Sequence, residues 1–283
     1  MSPLRSITQR LHSQAHGPIA RFISPEAPSG ETLKPFVLLD HFDAEIRPGF
    51  GFGMHPHSGI ATLTWQPDTD VRYEDTTGQN GILLAGGLEW MNAGGGAWHQ
   101  GQLMGSGRAQ GFQLWVAMPP GVENGPSEGQ YVAPEAVARL KVPGAQVLVL
   151  LGEYTVGAQS ARSPIRSHQD MNYFVVMLEA GAQWRFSPPA QHDVAWAFGF
   201  DGHALIQNEA GGRALLTLSE AGDIALSAPE GPARVLMGTA RKHSHPLVLG
   251  SSSVHTSEQA LALGLERIRA IGKDLMRKGR LSR

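Results

Sequence analysis

The sequence predicts an all-β chain, two small strand-built domains followed by a single C-terminal helix. Three observations predict it. Turn-forming residues are abundant and dispersed, with 35 glycines and 19 prolines. The runs between them are short and rich in Val, Leu, Phe and Trp, and only the C-terminal end carries helical periodicity. Dispersed punctuation of this kind marks tight turns between short strands. The hydrophobic content of 41% and the lack of a strict repeat exclude collagen and low-complexity linkers.

Taken in order, Phe36-Val37-Leu38-Leu39 is an apolar run between Pro35 and the polar pair Asp40-His41. Ile60 to Trp65 alternates as a strand does, and Ile82-Leu83-Leu84 runs into the turn Ala85-Gly86-Gly87. Phe112 to Val116 alternates cleanly, which predicts a strand with one buried face, ended by Pro119-Pro120-Gly121. The Pro- and Gly-rich residues 119–134 predict the inter-domain connection, with an N-terminal domain over residues 1–125 and a C-terminal domain over 126–283. In the second block, strands are predicted over Gln146–Leu151, Tyr173–Leu178, Val194–Phe198, Ala214–Leu218 and Ala233–Met237. Short strands at near-regular spacing mean a sandwich or a barrel. Thr256 with Gln259 three residues on is a capping-box pattern. Leu261, Leu265 and Ile268 then form one apolar stripe, so a helix is predicted from about residue 257. Lys273, Arg277 and Lys278 suit its C-terminal end and read as a solvated tail, not a nucleic-acid surface.

Bulk properties narrow the function. The net charge of −2 over 283 residues offers no global field for nucleic acid or an anionic membrane. With no cysteine, disulfides, thiolate metal sites and thiol nucleophiles are excluded. The N-terminus has no signal-peptide core, and no stretch approaches the length of a membrane-spanning helix, so the cytoplasm is the expected location.

The histidines carry the chemistry. In an extended segment residues i and i+2 share a face, so His55 and His57 can reach one ion from a single strand. Pro56 favours that extension, because it disfavours the helical region for the residue before it. His99 follows in Gly94-Gly95-Gly96-Ala97-Trp98-His99, at the start of a further predicted strand. Three neutral imidazoles suit iron, nickel, copper, cobalt or zinc and suit magnesium or calcium poorly. The glycine run reads as a turn into the barrel, since no phosphate-loop Lys-Ser/Thr follows it.

These segments resemble a known family. Leu39-Asp40-His41-Phe42, Pro48-Gly49-Phe50 and His55-Pro56-His57-Ser58-Gly59 resemble the N-terminal motif of the pirin family. So do Glu89-Trp90-Met91-Asn92-Ala93-Gly94 leading into His99, and Gly111-Phe112-Gln113-Leu114-Trp115-Val116. The resemblance implies two cupin barrels (double-stranded β-helix, jelly-roll) with a C-terminal helix. It places one divalent metal in the first barrel only, held by His55, His57 and His99 and by a Glu two residues beyond the last. That position is Gly101 here, and the Glu expected four residues past His57 is Ala61. Both motif carboxylates are therefore missing. Gln100 and Gln102 should point away from the His99 face unless a bulge intervenes.

The resemblance implies a quercetin 2,3-dioxygenase-type oxygenase acting on a small aromatic substrate such as a flavonol. Iron is the first expectation, with Ni, Zn, Cu, Co or Mn as alternatives, and with no motif carboxylate to serve as the base. The alternative is a non-enzymatic, redox- or ligand-responsive regulatory protein with a protein partner and a degenerate or metal-free site. Neither reading involves direct nucleic-acid or membrane binding. Among the other candidates, His41 reads as a hydrogen-bonded structural histidine, and Tyr73 stands where many relatives carry a His. His243-Ser244-His245, with His255 downstream, has poor ligand spacing, and His168, His192 and His203 show no ligand pattern.

Overall fold

Strands that alternate apolar and polar residues between tight turns satisfy their backbones by pairing antiparallel with neighbours. A computed structural model, which describes residues 2–281, shows this pairing throughout. The chain divides into two units. One comprises Ala15–Ala136 and the residues from His243 onward, and the other comprises the residues up to Gln14 together with Val137–Lys242.

In the unit containing the HPH motif, one sheet sets Glu128–Val132, Leu88–Asn92, Ile60–Trp65, Gly107–Ala117, Phe36–Ile46 and Ile19–Ile23 side by side in that order. A four-stranded sheet sets Gly51–His57, Ala97–Leu103, Val71–Asp75 and Asn80–Leu83 side by side. The other unit repeats the plan. Its seven-stranded sheet runs Ile7–Leu11, Leu215–Leu218, Val194–Asp201, Ala233–Ala240, Met171–Leu178, Ala145–Leu151, Ala138–Val142. Its four-stranded sheet runs Gln183–Phe186, Ile224–Ser227, Leu205–Ile206, Glu209–Ala210.

Three expectations change. The strand beginning at Phe36 does not stop at Asp40-His41 but continues to Ile46. Asp40 is held by the Arg21 guanidinium through two 2.8 Å bonds, and His41 stacks on Phe112 at 4.5 Å, so neither polar residue has reason to leave the ladder. The Pro/Gly-rich stretch 119–134 contains a strand, Glu128–Val132, which pairs with Leu88–Asn92. The units are grouped differently from a cut at 125/126, because backbone pairing carries Ile7–Leu11 to Leu215–Leu218, while the C-terminal helix groups with the HPH unit.

The helix spans Glu258–Arg277. Its N-cap is Ser257, whose side chain accepts from the Ala260 N–H at 3.1 Å, one residue later than the capping-box reading. Thr256 is occupied elsewhere, donating to Glu123. The buried face is Ala260, Leu261, Gly264, Ile268, Gly272 and Leu275, which keeps Leu261 and Ile268 of the predicted stripe and leaves Leu265 half-buried. Among the described residues, no helix is long and apolar enough to cross a membrane.

Candidate metal centre

The site is assembled by one register. His55 and His99 lie directly opposite each other in the antiparallel pair Gly51–His57 and Ala97–Leu103, with His57 opposite Ala97. The i, i+2 spacing then places His55 and His57 on one face, and the neighbouring strand supplies His99 to the same face. One ring nitrogen from each histidine lies within 4.8 Å of the others. The ring centroids are 4.5 to 5.1 Å apart.

The tautomers follow from the partners. Carbonyl oxygens only accept, so His55 Nδ1–H donates to Gly53 O at 2.7 Å and His57 Nδ1–H donates to Ser252 O at 3.0 Å. His99 Nδ1 faces Glu89 Oε1 at 3.1 Å. With each Nδ1 engaged, the Nε2 lone pairs are directed away from these partners. His55 Nε2 and His99 Nε2 stand 3.0 Å apart, with no proton between them when both rings are neutral and His99 Nδ1–H donates to the Glu89 carboxylate. Two facing acceptors repel, and a cation between them removes the conflict. Metal–imidazole bonds of about 2.0–2.1 Å bring ligand nitrogens to roughly this separation. The donor set therefore fits a divalent transition metal.

Electrostatics favour the ligand form. Burial, reinforced by the neighbouring His99, pushes the His55 pKa down to about 4. His57, buried and beside both other rings, is held well below its ordinary value. Both are neutral donors near neutral pH, as metal binding requires.

A cavity of about 260 Å³ opens on the triad. Its wall is mainly apolar, with Ile19, Phe42, Val71, Leu103, Phe112 and Trp115, and the Trp115 ring meets His57 edge-on at 4.9 Å. Gly101 lines it, and Ala61 does not. Ala61 is fully buried between Asn92 and Val116 in the adjacent sheet. A one-residue bulge in the His55 strand separates the His99–His55 pair from the Gly101–Phe52 pair. The bulge does not turn the amides inward: Gln100 donates to Glu74 at 2.8 Å, and both Gln100 and Gln102 line a separate outer groove.

A carboxylate outside the two motif positions, Glu89, stands at the site. It is 4% exposed, lines the cavity and holds His99. A sequence signal existed, because a Glu inside the apolar strand Leu88–Asn92 must have a partner to be buried. Tyr73 lines the outer groove and stacks on Tyr131 at 3.9 Å. His41 is within 3.4 Å of the Gln110 amide oxygen and does not line the cavity. His243 and His245 pack ring to ring at 5.3 Å, apart from the triad.

Comparison with known proteins agrees with this architecture. The family model "Pirin" matches residues 19–116. A Pseudomonas aeruginosa protein provisionally named a quercetin 2,3-dioxygenase is 31% identical over 86% of this chain and 87% of its own. The crystal structure of a quercetin 2,3-dioxygenase from Acinetobacter baumannii superposes with a TM-score of 0.83 at 23% identity, covering 99% of both chains. A bacterial pirin, YhhW from Escherichia coli, solved in complex with nickel(II), superposes with a TM-score of 0.62 at 21% identity, covering 86% of this chain and all of that one. Fold, motifs and relatives converge: the chain belongs to the pirin family and is a bicupin.

Proposed function

We propose that this chain binds one divalent transition metal through His55, His57 and His99 and uses it in quercetin 2,3-dioxygenase-type oxygenation of a small aromatic substrate such as a flavonol. The observation that carries this reading is the triad itself, three imidazoles with every Nδ1 engaged and their donor atoms within 4.8 Å of one another. Iron is the first candidate, and the nickel(II) held by the Escherichia coli pirin keeps nickel in view. When bound, the metal would supply Lewis acidity and orient the substrate oxygen. This chain supplies the rest. Phe112, Trp115, Phe42 and Val71 offer an apolar slot for a flat ring and keep water from it. Glu89 and Asp40 are the acids of the cavity wall, and Asp40 is already paired with Arg21. Arg21 takes both oxygens of Asp40, whereas His99 takes one oxygen of Glu89, so Glu89 is the group best placed to accept a substrate proton.

A second reading, a redox- or ligand-responsive regulatory binding protein without turnover, is favoured by Gly101, where the family's fourth ligand is missing. One experiment separates them. Protein made in metal-replete medium is analysed for metal content, and oxygen uptake with quercetin is measured on the same sample. Bound metal with uptake supports the oxygenase. Bound metal without uptake supports the binding protein, and folded, metal-free protein ends the oxygenase reading and leaves the binding protein.

A further inference from the structure

His57 is held from outside its own sheet. Its Nδ1–H donates to the carbonyl of Ser252, in the segment that leads into the C-terminal helix. The four residues after Ser252 are fastened to the barrel one by one. Ser253 Oγ lies 2.8 Å from Ser58 Oγ, and the backbones of the two residues form a parallel bridge. Val254 N–H donates to Ser58 O at 3.3 Å. His255 Nε2 lies 3.0 Å from Ser58 Oγ, and its Nδ1–H donates to Glu123 at 3.1 Å. Thr256 donates to Glu123 through both its backbone N–H, at 2.7 Å, and its hydroxyl.

Ser58, His255 and Glu123 thus have the connectivity of a Ser–His–carboxylate triad. Nucleophilic catalysis is excluded by access: Ser58 is 0%, His255 1% and Glu123 4% exposed. A sealed polar network of this kind holds position instead. The helix closes over it through a glycine, since a Cβ on Gly264 would lie 2.5 Å from both His255 Nε2 and Ser58 Oγ. Further along, Ile268 O accepts from Trp98 Nε1 at 2.9 Å, beside His99.

We propose that Ser58, Glu123 and His255 are positioning residues for the metal centre, clamping Ser252 so that its carbonyl fixes the tautomer and orientation of His57. This rests on the metal reading above. Without the clamp, Ser252 O is free to leave, and the His57 proton is no longer confined to Nδ1. The Nε2 lone pair aimed at the ion is then no longer pre-set. Metal affinity becomes coupled to how firmly the C-terminal segment is docked.

The test titrates nickel(II) into full-length wild type, Glu123→Ala, Glu123→Gln and His57→Ala, and records the visible spectrum of each protein loaded with cobalt(II). The expected result is a Glu123→Ala affinity roughly 10–100-fold below wild type, the usual size of an outer-shell loss, with a changed cobalt spectrum. Glu123→Gln, which keeps an acceptor, should recover part of it. A fall in melting temperature alone would not move the cobalt spectrum. By linkage, nickel should in turn slow amide exchange across residues 252–256 in wild type, a measurement that needs no variant to fold. Unchanged nickel affinity in folded Glu123→Ala, or unchanged exchange at 252–256, overturns the clamp while leaving the metal site standing. Failure of wild type to bind nickel or cobalt overturns both.

Discussion

The two units share a strand plan and differ in what they enclose. Each has a large sheet and a four-stranded sheet in the same antiparallel style. In one, the interior face carries His55, His57, His99 and Glu89 around a cavity. In the other, Tyr154, Phe174, Trp184 and Phe186 fill the core with rings 5.5 to 5.9 Å apart, and Trp184 Nε1 donates to Tyr154 OH at 3.1 Å. The scaffold tolerates either filling. Packed rings stabilise through buried area, whereas buried imidazoles and a carboxylate cost desolvation that only well-placed partners offset. Chemistry on this fold therefore resides in the interior side chains and their supports, not in the strands.

The largest expected effect is on the packed side. Trp184→Ala removes a buried ring and leaves Tyr154 OH without its donor, so urea unfolding of metal-free protein should show a loss of about 3–5 kcal/mol. Nickel affinity of the folded variant should not change; if it falls, the two interiors are not independent. Next, His57→Ala should weaken nickel binding by more than roughly 100-fold, beyond the usual outer-shell range. Calorimetric titration with equal affinities in wild type and variant would contradict this. His243→Ala, outside the triad, should leave affinity unchanged in the same titration.

Glu89→Gln keeps an oxygen near His99 but removes the charge, and it should weaken nickel by roughly 10–100-fold with the fold retained on circular dichroism. Gly101→Glu should act in the opposite direction. A Cβ at Gly101 meets only the Val71 methyl, at 3.5 Å, so a side chain can enter the cavity wall. A fourth, anionic ligand should tighten nickel on the order of tenfold, about 1.4 kcal/mol. Unchanged affinity in a folded variant would mean that this residue does not reach the ion.

The units also differ in a pH slope carried by His55 and His243. His55 and His243 are both held at about 4, against an unfolded value of about 6.5. Between those values the unfolded chain binds more protons than the folded one, so stability falls as pH drops from about 6.5 to about 4. Above 6.5 the contribution is fully present and flat. Urea midpoints of metal-free protein across this range measure the slope, and His243→Asn should reduce it.

Much of the strand pattern was legible. Ile60–Trp65 is seen as read, and the strands over Ala145–Leu151, Met171–Leu178 and Ala233–Ala240 differ from the reading by a few residues at one end. The misses share a cause. Asp40 and His41 look like strand terminators, and Glu128–Val132 looks like linker, because local polarity and turn content carry no record of a distant partner. Arg21, Phe112 and Leu88–Asn92 supply those partners only after folding.

By itself the sequence determined the β class, the C-terminal helix and the shared face of His55 and His57, with His99 as the third candidate, because period and i, i+2 spacing are local properties of the chain. Only the tertiary structure decided what surrounds those histidines. Glu89 reaches His99 across strands, Ser252 reaches His57 from 195 residues away, and Glu123 meets His255 over 132 residues. A hydrogen bond depends on separations of about 3 Å in space, and no spacing along the chain encodes that for residues so far apart.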